Sequence, residues 1–451
     1  MKSDLKTHPC LKEAQKLIEK LKPDHFELYF EKSAKTKIEA KDGAVDSLTR
    51  SEDQGLSIRI LKNQRVGFSF TTSMEKAAIQ KAVESAFSIA KLLPADPYAG
   101  FELFASDYPE IAKKESFDSE GLKAPIDQKV VMAKNLESLC KKADSRIKTV
   151  RPASLSESHS EVQMMDSRGK TISHTQTFYV AYLNCIAEEN GDSQVGAEVQ
   201  FSHHLSELKI KNVATQAAKW ATELLGAGAS PTMSCPAIFR NSVVSELIEF
   251  ISSSFSAEEI DKGRSMLADK MGQTLFSKKV NLIDDGLLKG GAATSPFDGE
   301  GVASRKTKLV SDGKISAFLY DTYYSKKLKQ SPTGNATRGI KSPPSIGTTN
   351  FYLEPGKTTP EKLIEQIKKG VLITDLMGVH TANPVTGDFS LGASGILIEN
   401  GKLTRPVRGF AVAGNVLDVF RKITDISNDL RFFGGIGAPS VCISEISVGG
   451  A

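Results

Sequence analysis

The chain has seven histidines and five cysteines, and their spacing decides what chemistry they can support. A hydrolytic zinc site needs two imidazoles about one helical turn apart. It also needs a carboxylate beside the first, to activate water. The stretch NSVVSELIEFISSSF, 241–255, follows the short apolar run AIF and predicts a helix just after a strand, a common seat for such a site. Val244, Leu247, Ile248, Ile251 and Phe255 recur at helical spacing and define a core face. Glu246 and Glu249 fall on the opposite side. No histidine occurs from 205 to 379, so this helix reads as structural. SAEE, 256–259, has capping-box spacing and predicts a second helix.

The remaining candidates each have a plain alternative. His203 and His204 are neighbours at a strand end; adjacent strand side chains point to opposite faces, so both read as surface residues. His159 and His174 fall on different strands, and a metal between them would need Glu161 as third ligand. His380, in GVHTANPVTGD near Asp388, is the lone histidine best placed for a function; the alternative is an ordinary loop histidine. SMEK, 73–76, fits an SxxK pattern, but the companion SDN and KTG motifs are missing and Ser73 suits a helix N-cap. GGIGAPS lies between β segments, away from any strand-to-helix phosphate site. KKLKQSPTGNATRG, 326–339, joins lysines, a Pro-Thr-Gly-Asn turn and Arg338 in a long loop of the kind that carries binding; a flexible turn explains it equally.

The elements that must position these residues fall into three regions. At 451 residues the chain is too long for one ordinary core. It is 40% hydrophobic and 25% charged, with net charge +4 and the signs interspersed. No like-charge block suggests a nucleic-acid or membrane tail. AKKESFDSEGLK mixes both signs and reads as a solvated loop. No segment is apolar enough to span a bilayer or to serve as a signal peptide, which places the protein in the cytoplasm. Cys10, Cys140, Cys185, Cys235 and Cys442 are scattered and read as reduced core thiols.

Leu11, Ala14, Leu17, Ile18 and Leu21 predict an amphipathic first helix. Residues 26–71 alternate as strands with DG and KNQR turns, and a helix follows to about 93. After a helix near 127–144 the same order returns: strands with SRGK and NGD turns, then the helix NVATQAAKWATELL. RVGFSFTTS and QVGAEVQFS hold similar places, through an ancient duplication or through coincidence of element order. GAGASPTMSCP, 226–236, is a linker. The expected regions are 1–110, 111–228 and 229–451. Beyond the linker, short apolar segments and Gly-rich turns predict a β sandwich or barrel with few helices, among them TPEKLIEQIKKG, capped by Thr359 and closed by Gly370. The fold class is α+β: strand-and-helix regions, then a β-rich C-terminal domain around the 241–255 helix.

SMLADKMGQTLFSKKVNLIDDG, the DGEG…DGKI…Y…PTGN order, TGDFS…GILIENGKLTRPVRG and ISNDL together resemble the TldD/PmbA (TldE) family, over nearly the whole chain. The resemblance implies that TldD-type chains carry an HExxxH zinc motif on the first helix of the C-terminal domain. The matching helix here is VVSELIEFISSSF, which has neither histidine. It also implies a cysteine in the glycine-rich stretch after NDL; RFFGGIGAPS has none, and Cys442 beyond it is not given the role. This chain is thus similar to the PmbA/TldE type, with no metal or other cofactor of its own. The implied assembly is a heterodimer with a TldD-type subunit holding the zinc, acting on unfolded peptides. An older label for the family is modulator of DNA gyrase. Thr333, Gly334, Asn335, Arg338, His380 and Asn383 are candidates for a peptide groove, without a catalytic role. Two other readings stay open: a homodimeric peptide-binding protein without hydrolysis, and an independent hydrolase using His380, Asp388 and a serine.

Overall fold

The computed structural model describes residues 6–111 and 113–450; residues 1–5, residue 451, and Ala112, the first residue of AKKESFDSEGLK, lie outside the described residues. α1 (Pro9–Lys20) opens with Pro9, whose missing N–H costs nothing in a first turn, and buries Cys10, Leu11, Ala14 and Ile18. β1 (His25–Lys41) turns through Asp42–Gly43 into β2 (Ala44–Lys62), which turns through Asn63–Gln64 into β3 (Arg65–Thr71). All four turn residues have positive φ, as two-residue hairpins of type I′ require. α2 (Lys76–Leu92) follows. Its N-cap is Glu75, and Ser73 lies outside the helix, accepting the Glu75 N–H at 3.3 Å.

The expected solvated loop is instead two short helices, α3 (Lys113–Ser116) and α4 (Ser119–Lys123). Asp118 orders them, accepting the Gly121 N–H at 2.8 Å and the Leu205 N–H at 2.9 Å. Then come α5 (Ile126–Ala143), β4 (Ile147–Val150), β5 (Ala153–Asp166), β6 (Thr171–Glu189), β7 (Asp192–Ser202) and α6 (Ile210–Thr222).

β1 and β5 run antiparallel side by side, from Glu27 opposite Asp166 to Ala40 opposite Ala153. The first two regions therefore share one seven-stranded sheet, in the order β3-β2-β1-β5-β6, with β4 and β7 both on β6. Phe26, Leu28, Phe30, Ile38 and Ala40 are alternate residues of one strand and share a face. The first three pack under α1 and α2, the last two under α5 and α6. All four long helices thus cover the same side.

The two strand sets mirror each other about the β1–β5 contact. A Cβ on Gly67 of β3 would stand 1.8 Å from Ala86 O and 2.6 Å from Ala90 N. A Cβ on Gly196 of β7 would stand 2.2 Å from Ala217 O and 2.3 Å from Ala221 N. In each half a strand glycine seats a helix on an i, i+4 alanine pair. The Val-Gly steps of RVGFSFTTS and QVGAEVQFS do the same packing work.

β8 (Met233–Phe239) opens the C-terminal domain and leads into α7 (Asn241–Ser252). β8 pairs with Lys369–Met377 on one side and Val441–Gly449 on the other. Asp388–Glu399 and Lys402–Asn415 continue the sheet, and Ala411–Ala413 pair back to Ser447–Gly449, closing a barrel. A second sheet of six short strands includes Leu282–Asp285, Phe351–Leu353 and Arg431–Phe433. Val243, Val244, Leu247, Ile248, Ile251 and Phe255 join α7 and the turn after it to the core of this domain. The C-terminal part is β-rich as expected, with more helix than its texture predicts. Tyr323 and Tyr324 lie in a helix, Thr322–Lys327, and Val416–Arg421 is another. Thr359 caps Pro360–Glu365, but Gly370 sits in the next strand rather than closing the helix. SAEE does begin a short helix, Ala257–Asp261, although the Ser256 side chain makes no cap bond.

Gly67→Ala and Gly196→Ala should each destabilise the chain in urea unfolding, by about 1–3 kcal/mol, because helix backbone must retreat from the new methyl. Matching losses in the two halves would check their equivalence.

Candidate functional site

The second face of the sheet meets the C-terminal domain. Between the apolar residues of β1 and β2 stand Glu27, Tyr29, Ser57 and Arg59, all buried. Arg59 donates to Glu300 Oε1 at 3.0 Å and to both Glu27 oxygens at 3.4 Å. Arg338 pairs with the same Glu27, donates to Ser57 Oγ at 2.7 Å and Gly299 O at 3.2 Å, and lies 4.7 Å from the Tyr29 ring centroid. Glu300 Oε2 accepts the Thr322 N–H at 2.8 Å. Two arginines and two glutamates thus form a neutral buried set that joins sheet to domain.

Asp298, two residues before Glu300, gathers the loop around it. It accepts the N–H groups of Glu300, Val302 and Ala336, each at 2.9 Å. Burial, then the nearby Glu300 charge, push its carboxyl up to about 7. Asp284 accepts from Asn335 Nδ2 at 2.7 Å, the Thr349 N–H at 2.7 Å and the Thr349 hydroxyl at 2.8 Å. Between these loops and the sheet lies a cavity of about 400 Å³, lined in part by Tyr29, His174, Gln176, Gly334, Asn335 and Arg338. Burial, with His203 nearby, lowers His174 to about 4, so it is neutral at pH 7, and its Nε2 has no partner.

The sequence candidates therefore separate. Gly334, Asn335 and Arg338 line this cavity. Gly334 has φ +75, and a Cβ there would come within 2.7 Å of Ala303 O. Thr333 is buried; its hydroxyl accepts the Tyr320 N–H at 2.8 Å and donates to Tyr320 O at 3.1 Å. His380 and Asn383 are exposed on the loop after Lys369–Met377 and do not line the cavity. Asn383 Oδ1 accepts from Val385 N at 2.9 Å and Thr386 N at 3.2 Å, shaping that turn.

Two histidine readings change. His203 is buried, not a surface residue: its Nδ1 lies 2.7 Å from Thr177 O and its Nε2 3.1 Å from Gly291 O, bridging β6 to the C-terminal domain. Docking covers it, which a strand-end position does not announce. His174 stands opposite Val162 and His159 opposite Thr177, so three ladder steps separate them. Among the described residues no three His, Cys, Asp or Glu side chains are gathered as a metal site.

On α7, Glu249 is exposed as expected, but Glu246 is only half exposed. Burial, then Asp375 and Glu249, push the Glu246 carboxyl up to about 7. The start of α7 is tied down from the far end of the chain. Ser440 Oγ accepts the Asn241 N–H at 3.1 Å and donates to Asp429 at 2.7 Å.

Sequence reasoning passed over Glu27, Arg59, Asp298 and Glu300. The signal for the first two was present. Each is a charged residue inside an otherwise apolar strand, Phe26-Glu27-Leu28 and Ile58-Arg59-Ile60, and such a pattern is ordinarily assigned to solvent.

The fold is that of a three-part chain, two strand-and-helix halves sharing one sheet and a β-rich domain with a closed barrel. Residues 26–90, 120–225 and 232–450 match, in order, domain 1, the central domain and the C-terminal domain of the PmbA/TldA metallopeptidases. The chain belongs to the PmbA/TldD family. It is 26% identical to Metalloprotease PmbA of Escherichia coli O157:H7, over 95% of this chain and 93% of that one. It is 26% identical to Metalloprotease MJ0996 of Methanocaldococcus jannaschii, over 87% of each. Among solved structures, TM0727 of Thermotoga maritima MSB8, described as a candidate modulator of a DNA gyrase, superimposes with a TM-score of 0.89 at 25% identity, covering 97% of this chain and 99% of that one. TldE of Thermococcus kodakarensis does so with a TM-score of 0.87 at 22% identity, covering 98% and 100%.

Arg338→Ala should cost about 3–5 kcal/mol in urea unfolding, because Glu27 is left buried without its closest partner. Exposed Thr337→Ala should stay within about 0.5 kcal/mol. Glu246 gives a pH test. Its folded value lies above the ordinary 4.5, so the fold favours the protonated form. No penalty exists below that ordinary value; it grows as pH rises and is complete above about 7. Glu246→Gln should therefore stabilise the chain at pH 8, by about 1 kcal/mol after solvent screening, and leave it unchanged at pH 4. Unfolding measured at both pH values checks it.

Proposed function

We propose that this chain is the zinc-free, PmbA/TldE-type subunit of a cytoplasmic metalloprotease complex that degrades or processes unfolded peptides. The supporting observation is α7. Its inward face is Val243, Val244, Leu247, Ile248 and Ile251, closed into the core, and the helix contains no histidine. Its polar flank offers Glu246 and Glu249 only. Zinc in hydrolytic sites takes imidazole, thiolate or several carboxylates in tetrahedral array, and two glutamates on one helix do not fit it.

No helix of the described chain is long and apolar enough to cross a membrane. The metalloprotease names of the relatives and the TldE likeness support pairing with a TldD-type subunit, which would hold the zinc. Within the pair, this chain's work is to help enclose the substrate and hold it extended. Main-chain hydrogen bonding suits that task, because an edge strand accepts a peptide whatever its side chains.

The test is to purify the chain alone and together with a TldD-type subunit, then measure zinc and cleavage of an unstructured peptide. The expected result is zinc and cleavage in the pair and neither in the lone chain. Cleavage by the lone chain would refute the subunit reading, and a chain that forms only homodimers would favour a peptide-binding protein without hydrolysis.

A further inference from the structure

We propose that the cavity between the sheet and the C-terminal domain is a binding site for a small, neutral, carbonyl-bearing molecule, of the class of primary amides and lactams. The inference does not depend on the peptide-handling reading above. The register of the sheet lays the floor. Tyr29 stands opposite Met164, and Met164 opposite Ile172. Two residues along, Val162 stands opposite His174, and two further, Ser160 stands opposite Gln176. Tyr29, Val162, His174 and Gln176 therefore lie on one face in successive rows, and all four line the cavity. The roof comes from the C-terminal domain, chiefly its 292–299 and 334–338 loops. The second loop runs on over Gly55 of β2, where a Cβ would stand 2.5 Å from Ile340 Cγ2, so the roof is held to the sheet beyond Arg338. Ala293 and Thr337 line the cavity and are exposed, so it opens to solvent on that side. Its volume of about 400 Å³ is in the range of small-molecule sites, with room for a ring and not for an extended chain.

Floor and roof each bring a polar atom that the protein leaves unbonded. The Arg338 side chain is 1% exposed, and its Nε–H, a donor only, has no acceptor among the described residues. The His174 Nε2 is also buried without a partner. Buried polar groups left unpaired are rare and costly, and these two belong to residues on the wall of one cavity. A carbonyl oxygen supplies the acceptor that Arg338 lacks. His174, neutral at pH 7, can donate or accept through Nε2. The half-buried Gln176 carboxamide, next along the same face, matches the paired N–H and C=O of an amide.

Charge decides the class of ligand. On the wall, Arg338 is already paired with Glu27, and Asp298 already accepts three N–H groups. A carboxylate entering here would be buried beside Asp298 with no cation of its own, and Glu31 stands opposite Val162 at the edge of the floor. An ammonium would meet the Arg338 guanidinium and could accept nothing from it. A neutral carbonyl compound escapes both costs. Tyr29, Val162 and Phe297 supply apolar wall for its body. A bound molecule would touch β6 and the 334–338 loop together, so occupancy would tighten the seam that Glu27 and Arg338 hold.

The test uses the full chain and four probes at pH 7, with affinity read by titration calorimetry. Benzamide, benzoate and benzamidinium share one size and shape and differ in charge; uracil is a neutral lactam. At least one of benzamide and uracil should bind at a single site with Kd below about 1 mM, as good contacts to so few atoms allow. Benzoate and benzamidinium should bind at least tenfold more weakly than that neutral probe. His174→Phe keeps a flat ring and removes the unbonded Nε2, so the fold should not suffer, and binding should weaken at least fivefold. Gln176→Ala trims a half-buried side chain and should weaken it similarly, which keeps the test open if His174→Phe folds poorly. His380→Ala, exposed and away from the cavity, should bind as the unmodified chain does. If neither neutral probe binds, the cavity holds only solvent and the proposal falls. A charged probe binding as tightly as the neutral ones would overturn the assigned class. Binding unchanged in both His174→Phe and Gln176→Ala would overturn the site.

Discussion

One carboxylate shared by two guanidinium groups joins the halves of this molecule. The sheet contributes Glu27 and Arg59, and the C-terminal domain contributes Glu300 and Arg338. Each half supplies one charge of each sign; Arg59–Glu27 lies within the sheet, and docking adds Arg59–Glu300 and Arg338–Glu27 across the boundary. Burial of such a set gains little net stability, because desolvation offsets the Coulomb attraction. What it gives is register. A slide of a few ångströms would strand charges in an apolar seam, so the domain sits on the sheet in one position. The cavity beside Arg338 and the loop over Gly55 inherit their placement from that constraint.

Other buried polar residues of the C-terminal domain do similar joining work. Asp298 binds three backbone N–H groups, and Asp284 holds Asn335 and Thr349. Asp429 reaches the start of α7 through Ser440. These side chains point inward and build the loops. α7 itself is held at its first residue and along its apolar stripe, which leaves Glu249 exposed and Glu246 partly buried on the other flank.

Local signals in the sequence carried much of the architecture. The i, i+3, i+4 stripe of α7, the alternation of β1 and β2, and the DG and NQ turns are short-range patterns, and each appears where expected. Docking was not legible. Alternation marks Glu27 and Arg59 as facing away from the helices, but only the partner surface shows that the other side is also dry. The same blindness put His203 in solvent and gave Glu246 a fully outward position. Tyr323 and Tyr324 sit in a segment whose aromatic content favours strand; the Asp321 cap, accepting the Tyr324 N–H at 2.8 Å, and tertiary packing make it helical. The cavity draws on residues from 29 to 349, a span no local window covers.

The closure of the barrel has a consequence for biosynthesis. β8 lies between a strand that begins at Lys369 and another that ends at Gly449, so its two neighbours emerge from the ribosome long after it does. Until then an apolar strand and the apolar stripe of α7 must wait without their cover, in a state open to chaperones and to aggregation. Loss of the strand Val441–Gly449 would leave the β8 edge of the barrel open.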